Sequence, residues 1–359
     1  SWASRGLGDV YKRQEVKEKK KMGLVPKILL IIFIAIIIFV LVAGVSGYFW
    51  AKHKWDQMDY VDLSSSDIEV NPGVNESLEG YRNIVLLGLD AREDSFGTGN
   101  RSDCIMIISL NQETKNVKIA SVYRDTYLNI DGHGLDKVTH AYSYGGPKLA
   151  LSTLNKNLDL NITEFVAVNF DTVHTVVDSV GGVDINIEQS ELKYINNYIT
   201  AADNQFGTST QKITTTGKQT LNGVQALAYS RIRYTEGGDY KRTERMRDVL
   251  IAVFEKAKTM SVSDLNSLSD TILPHVSTNI NINEAIGMLP QLTNINVNES
   301  IGWPYEVKGI TLDRWYGVPV TLEENVSKLH KDLFNETDYN PSDTVKNIST
   351  SIINKTGYR

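Results

Sequence analysis

Residues 28–45 read ILLIIFIAIIIFVLVAGV, eighteen consecutive positions without a polar side chain. With Gly47, Tyr48, Phe49 and Trp50 behind it, the span reaches the ~20 residues that cross a bilayer, with aromatics at the far interface. Lys17, Lys19, Lys20, Lys21 and Lys27 precede the run, whereas only Lys52, His53 and Lys54 follow closely. That imbalance holds the amino end in the cytoplasm and sends everything after Trp50 outside, a single-pass arrangement in the plasma membrane. A cleaved signal peptide is the competing reading, because Ala43, Gly44, Ser46 and Gly47 follow the apolar core. Such peptides have cores of about 7–15 residues, so the expectation is an uncleaved anchor over residues 28–50 behind a basic cytoplasmic segment, 15–27. Residues 1–14, SWASRGLGDVYKRQ, resemble one reading frame of a transposase adaptor used to prepare sequencing libraries. They are set aside from fold reasoning as a scar, the alternative being an ordinary polar tail.

An external domain has no access to chromosomal DNA or, ordinarily, to cytosolic nucleotides. The net charge of −6 also argues against a nucleic-acid partner. A single cysteine excludes an internal disulfide and a cysteine-ligated zinc site. With 41% hydrophobic and 22% charged residues, the chain has the composition of a packed globular protein.

Residues 51–79 are polar and turn-rich and read as a linker. Beyond them come short β-branched runs: NIVLLGLD (83–90), CIMIISL (104–110), VKIASV (117–122), FVAVNF (165–170) and VDINI (183–187). These predict strands of a buried sheet. Helices are predicted over 147–157 and 171–180, the second with Asp171 as N-cap and Gly181-Gly182 as its stop. Further helices are predicted over 223–230, 240–259, 283–292 and 322–333. Strands interleaved with helices argue for an α/β domain with helices packed over a central sheet, spanning residues 80–334, with a weak carboxyl tail at 335–359.

No metalloprotease helix, Walker loop or nucleophile-elbow serine is present in the sequence. Arginines and aspartates gather instead at strand ends. LLGLDAR (86–92) ends a buried strand in Gly-x-Asp-x-Arg, at the edge where open α/β sheets bind ligands. Arg101-Ser102-Asp103 precedes the next strand; if the two strands run antiparallel, Asp90 and Asp103 face each other. Such a pair can share a hard divalent cation, or serve as loop caps paired with Arg92 and Arg101. SVYRD (121–125) ends another strand, and in YSRIR (229–233) alternation puts Arg231 and Arg233 on one face of an extended segment. In the helix near Asp239, the stripe Met246, Val249, Leu250, Val253 and Phe254 extends back to Arg242 and Arg245, which puts both inward and Arg247 outward. Two inward arginines at a helix amino end favour an anion, and their forks match phosphate oxygens; stems that snorkel to solvent are the alternative.

The ordered set LLGLDAR, RSD, SVYRD, DKVTHAYSYGG, FDTVHTVVDSVGGVD, LNGVQALAYSRIR and DYKRTERMRD resembles the catalytic domain of the LytR–CpsA–Psr family, also called cell-envelope-related transcriptional attenuators. The resemblance covers residues 81–254. It implies an α/β/α sandwich and a phosphotransferase that moves a glycopolymer, teichoic acid or capsule, from a polyprenyl-pyrophosphate carrier onto a peptidoglycan hydroxyl. It implies Mg²⁺ on Asp90 and Asp103, and pyrophosphate held by Arg101, Arg124, Arg231, Arg233, Arg242 and Arg245, with Asp239 and Lys137 as further polar positions. Asp103 and Arg124 are the expected catalytic pair. One departure stands out: Arg245-Met246 replaces the family's usual Arg-Gln, and Lys241 replaces a usual glycine. Rival readings are a polyprenyl-phosphate-binding protein without turnover and an envelope-linked regulator.

Overall fold

The strands β2 (Tyr81–Leu89) and β3 (Ser102–Asn111) are apolar on both faces, as strands at the middle of a three-layer domain must be. The structure, a computed structural model, describes residues 46–91, 95–169, 172–285 and 296–358. The apolar run at 28–45 and the adaptor-like segment lie outside these residues. Among the described residues no helix is long and apolar enough to cross a membrane. Residues 51–359 form one compact unit.

The first short strand, β1 (Asp59–Tyr60), opens a seven-stranded mixed sheet. It continues with β4 (Asn116–Val122), β7 (Glu164–Asn169), β10 (Val276–Thr278) and β11 (Asn296–Trp303), in the order β1-β10-β7-β2-β3-β4-β11. β2 and β3 run antiparallel, with Leu87 opposite Ile105 and Gly88 opposite Cys104, and β2 and β7 run parallel. The loop ends of β2, β3, β4 and β7 carry the polar motifs singled out in the sequence.

On one face Val85, Leu87, Leu89, Ile105 and Ile107 pack against three helices: α1 (Thr139–Leu158), α7 (Leu322–Phe334) and α8 (Asp343–Thr356). Helix α1 is longer than expected and is kinked where Gly145 and Gly146 leave helical angles; its second part starts at Pro147, whose fixed φ suits a first helical position. On the other face Cys104, Met106 and Ile119 meet Met246 and Leu250 of α5 (Gly238–Ala257). A second core joins α2 (Thr172–Ser179), α3 (Gln189–Phe206), α4 (Gly223–Ser230) and α6 (Val262–Ile272) to the flank of α5. Helix α4 starts from Asn222, which accepts the Gln225 N–H while the Gln225 side chain accepts the Asn222 N–H. Helix α2 stops at Gly181 and Gly182, both with positive φ, as expected; the proposed cap Asp171 lies outside the described residues.

Three expectations are corrected. β8 (Val183–Ile187) is not in the central sheet; it pairs only with β9 (Gly217–Leu221), and its strict buried-exposed alternation is that of a strand covered on one side. Residues 51–79 are no loose linker: β1 pairs with β10, and Ile68, Val74 and Leu78 are buried in the main core. The carboxyl tail is likewise structural, since α8 sinks Val345, Ile348 and Ile352 into that core. Most of the helix expected at 283–292 lies outside the described residues.

Candidate active site

Asp90 and Asp103 close the end of the β2–β3 ladder, where the Asp90 N–H donates to the Arg101 carbonyl at 3.0 Å. The two carboxylates line one pocket of about 330 Å³ together with Arg231, Arg233, Arg242, Tyr198, Tyr234 and Met246. Arg124, just past β4, donates from Nη1 to Asp103 Oδ2 at 2.6 Å, and its Nε lies 3.3 Å from Asp239 Oδ2. Arg242, on the first turns of α5, donates from Nη2 to Asp239 Oδ2 at 3.0 Å and lies 4.0 Å from Asp103 Oδ2. Arg233 Nε is 3.6 Å from Asp239 Oδ1, and Lys137 Nζ is 2.6 Å from Asp125 Oδ1, whose other oxygen faces Arg124 at 3.5 Å. Residues far apart in the chain thus meet in one network, because β3, β4 and α5 end at the same edge of the sheet.

The electrostatics of the network are uneven. Burial works against the charge of Arg124, yet Asp103, Asp239 and Asp125 together hold its pKa above the ordinary value. Arg242, almost fully buried, is pushed down by that burial; Asp239 opposes the shift, and Arg124 and Arg233 add to it. The Nε atoms of Arg124 and Arg242 are buried without a hydrogen-bond partner among the described residues. Guanidiniums crowded in this way gain from an anion, which restores the charge balance that burial and like-charge contact disturb.

Asp90 and Asp103 both line the pocket, Asp103 with Oδ2 held by Arg124. A pair of carboxylates suits Mg²⁺, which commonly takes one or two protein carboxylates and completes its shell with water and substrate phosphate. Groups of three or more His, Cys, Asp or Glu side chains disposed to hold a metal are absent among the described residues.

Other expected residues are placed differently. Arg245 is buried, as the helical stripe requires, but it turns away from the pocket. Its Nε donates to Glu191 Oε1 at 2.7 Å, Nη1 to the Ile232 carbonyl and Nη2 to Thr235 Oγ1. It therefore secures the segment that carries Arg233, and its donors are occupied. Arg247 is not outward: it is buried and donates to Ser121 Oγ and the Ile301 carbonyl, tying α5 to β4 and β11. Residues 229–233 are not an extended segment either. Tyr229 and Ser230 end α4 and Arg231 caps it with helical angles, although Arg231 and Arg233 still reach the same pocket. Arg101 is exposed and enters the network only through its carbonyl.

Beside the polar pocket lies an almost wholly apolar cavity of about 210 Å³. Leu86, Gly88, Cys104 and Met106 form its floor on the sheet, Val173 and Val176 of α2 and Val249, Leu250 and Val253 of α5 its walls. A Cβ on Gly88 would stand 2.8 Å from Cys104 Cβ, so glycine keeps this floor low. Burial pushes the Cys104 thiol up to about 12, which leaves it a neutral packing group. Met246 lines both spaces. Its position on the apolar stripe was legible; that it stands at the junction of two pockets was not. Half-buried Tyr198 and exposed Tyr234 also escaped the sequence reading, since single tyrosines carry no periodic signal.

A charged pocket beside an apolar cavity, with Met246 lining both, at the loop edge of a mixed α/β sheet, gives a site with one polar and one apolar half. The chain belongs to the LytR_cpsA_psr family, whose sequence profile matches residues 48–330. It is 33% identical to the polyisoprenyl-teichoic acid–peptidoglycan teichoic acid transferase TagT of Bacillus subtilis, over 58% of this chain and 63% of that protein. It is 31% identical to the corresponding transferase TagU of Enterococcus faecalis, over 72% of this chain and 80% of the relative. Among solved structures, the LytR-CPS2A-psr family protein YwtF (TagT) with bound octaprenyl pyrophosphate lipid matches with a TM-score of 0.55 and 27% identity, covering 76% of this chain and 99% of that one.

Proposed function

We propose that this protein is a membrane-anchored external phosphotransferase that moves a glycopolymer from a polyprenyl-pyrophosphate carrier onto a peptidoglycan hydroxyl. The observation that carries the reading is the placement of the arginine-lined pocket beside the apolar cavity, with Met246 lining both. The apolar cavity suits the head-proximal isoprene units of such a carrier and the charged pocket its diphosphate. The transferases TagT and TagU named above, and the octaprenyl pyrophosphate bound in the related structure, support the same substrate class. The apolar run at 28–45 and the lysines before it support an anchor with the amino end inside.

Asp90 and Asp103 would hold Mg²⁺, which when bound supplies positive charge to the diphosphate oxygens. Arg124, Arg231, Arg233 and Arg242 bind those oxygens, and the already positioned guanidiniums stabilise the charge that moves onto the departing lipid phosphate. Asp239 orients three of these arginines at once. Asp103, where the metal leaves one of its oxygens open, accepts the proton of the attacking hydroxyl. Lys137 holds Asp125 beside Arg124. Arg245 acts at one remove, as the residue that positions the Arg233 segment.

The test is transfer by the full chain in detergent, with Mg²⁺, a lipid-pyrophosphate-linked disaccharide and uncrosslinked peptidoglycan. Arg124→Ala and Arg242→Ala are each expected to slow transfer by about 10²–10³, the effect of removing one charge-stabilising donor. Wild-type rates in both variants would refute the arginine clamp. Tight lipid binding with no release of lipid monophosphate by the wild-type chain would favour a carrier-binding protein instead.

A further inference from the structure

Among the described residues the most exposed large apolar side chain is Val262, with 84% of its surface open, and Leu265 one turn on keeps 40%. Both stand on α6. Val262, Leu265, Leu268 and Ile272 recur at helical spacing and share one face of that helix. Leu268 is buried in the second core, and Ile272 packs against the same core and lines the apolar cavity. One apolar stripe thus starts in the open and ends at a wall of the cavity that suits the isoprene units.

The other side of α6 is tied to the start of the compact unit. Asp270, two residues before Ile272 and on the opposite face, pairs with the buried Lys54. Hydrogen bonds from Lys54 and Gln57 hold the Asp270 carboxyl below its ordinary pKa. Lys54 comes four residues after Trp50, the last aromatic behind the apolar run in the sequence. Four residues reach about 14 Å at most, so an anchor that ends at Trp50 keeps Lys54 and its partner Asp270 near the bilayer surface. From Asp270 back to Val262 the helix rises only about 12 Å. Helix α6 therefore cannot stray far from the outer leaflet, and the bare end of its stripe has the chemistry of the acyl region.

We propose that α6 is the membrane-facing lip of the apolar cavity: Val262 and Leu265 dock on the outer leaflet, and the carrier's tail enters the cavity along this helix. The inference rests on the reading of an anchored phosphotransferase and adds the route by which its lipid substrate arrives. A polyprenyl chain that leaves the bilayer through water exposes all its apolar surface, whereas a lip seated in the leaflet spares it that exposure.

The test uses the full chain reconstituted in vesicles of phosphatidylcholine and phosphatidylglycerol. Val262→Cys is labelled with an environment-sensitive fluorophore; Cys104, buried with its thiol pushed up to about 12, stays unlabelled. The emission is expected to shift to the blue and to be quenched by lipids that carry a nitroxide on the acyl chain. The same label on Ser267→Cys, at the exposed polar side of the helix, should show neither change. Leu265→Asp is expected to slow transfer from a long-chain polyprenyl donor in the vesicles about tenfold, while a short-chain, water-soluble donor reacts at the wild-type rate. Equal slowing with both donors, or slowing with neither, overturns the proposal and leaves phosphotransfer intact. Absence of quenching at position 262 also overturns it, and a blue shift without quenching would assign the tip to a protein partner instead. Quenching at 262 but not at 267, in a chain that shows no turnover, upholds the docking face while the transferase reading fails.

Discussion

Three arginines on one short stretch of chain do three different jobs here, and burial alone does not distinguish them. Arg242, Arg245 and Arg247 are all buried, but only Arg242 faces the pocket of Asp90 and Asp103, while Arg245 meets Glu191 and Arg247 meets β4 and β11. Glu191 is saturated from both sides: Oε2 accepts the Glu188 N–H as part of a helix cap and Oε1 accepts Arg245. Arg245→Ala would strand that carboxylate in the protein interior, at a cost of about 3–5 kcal/mol. We therefore expect Arg245→Ala to lower the urea midpoint sharply, whereas Arg242→Ala lowers transfer and keeps its fold. If the two variants were equally stable, Arg245 would have to be reassigned to ligand binding. The helical period in the sequence made the inward arginines legible. It could not say which partner each would find, because Glu191 lies 54 positions away and no local pattern connects them.

Among the elements, α5 carries the most. Its amino-terminal turns supply Arg242 to the charged pocket and its ion-pair partner Asp239, and its next turns supply Met246, Val249, Leu250 and Val253 to the apolar cavity. A single helix thus spans the boundary between the polar and apolar halves of the site. The stripe that reveals this is plain in the sequence, and so are the apolar runs of β2, β3 and β4. The opposite wall, α2, can be used to separate the two halves of the site. Val176→Phe fills the cavity from a partly exposed position and is expected to weaken binding of a long-chain polyprenyl pyrophosphate by tenfold or more, as about 1.4 kcal/mol of lost apolar contact implies. Binding of inorganic pyrophosphate, measured by calorimetry, should be unchanged. Equal loss for both ligands would mean that the cavity does not receive the tail. The short strands β10 and β11 and the hairpin of β12 (Val307–Thr311) and β13 (Trp315–Pro319) were not legible, since three to eight residues of mixed polarity have no distinctive period.

At the scale of the whole molecule, the core is closed by residues that read as spacers. Ile68, Val74 and Leu78 come from the turn-rich segment after the apolar run, and Val345, Ile348 and Ile352 from the asparagine- and serine-rich end. Composition misled here because amphipathic helices with a narrow apolar face are mostly polar by count. Buried polar pairs lock the two ends together: Asp159 accepts the Asn71 amide, the Ser342 hydroxyl and the Ser342 N–H. We expect a chain cut after Phe334 to fail to fold, with loss of near-ultraviolet dichroism and of lipid binding. A cut chain with a wild-type thermal midpoint would show α8 to be dispensable.

Helix α8 covers surfaces of α1 and β5 (Tyr127–Ile130), elements that lie far before it in the chain. Until residues 343–356 dock, those surfaces stay bare, so closure of the main core waits on a long-range pairing, the kind of step that is slow and prone to aggregation.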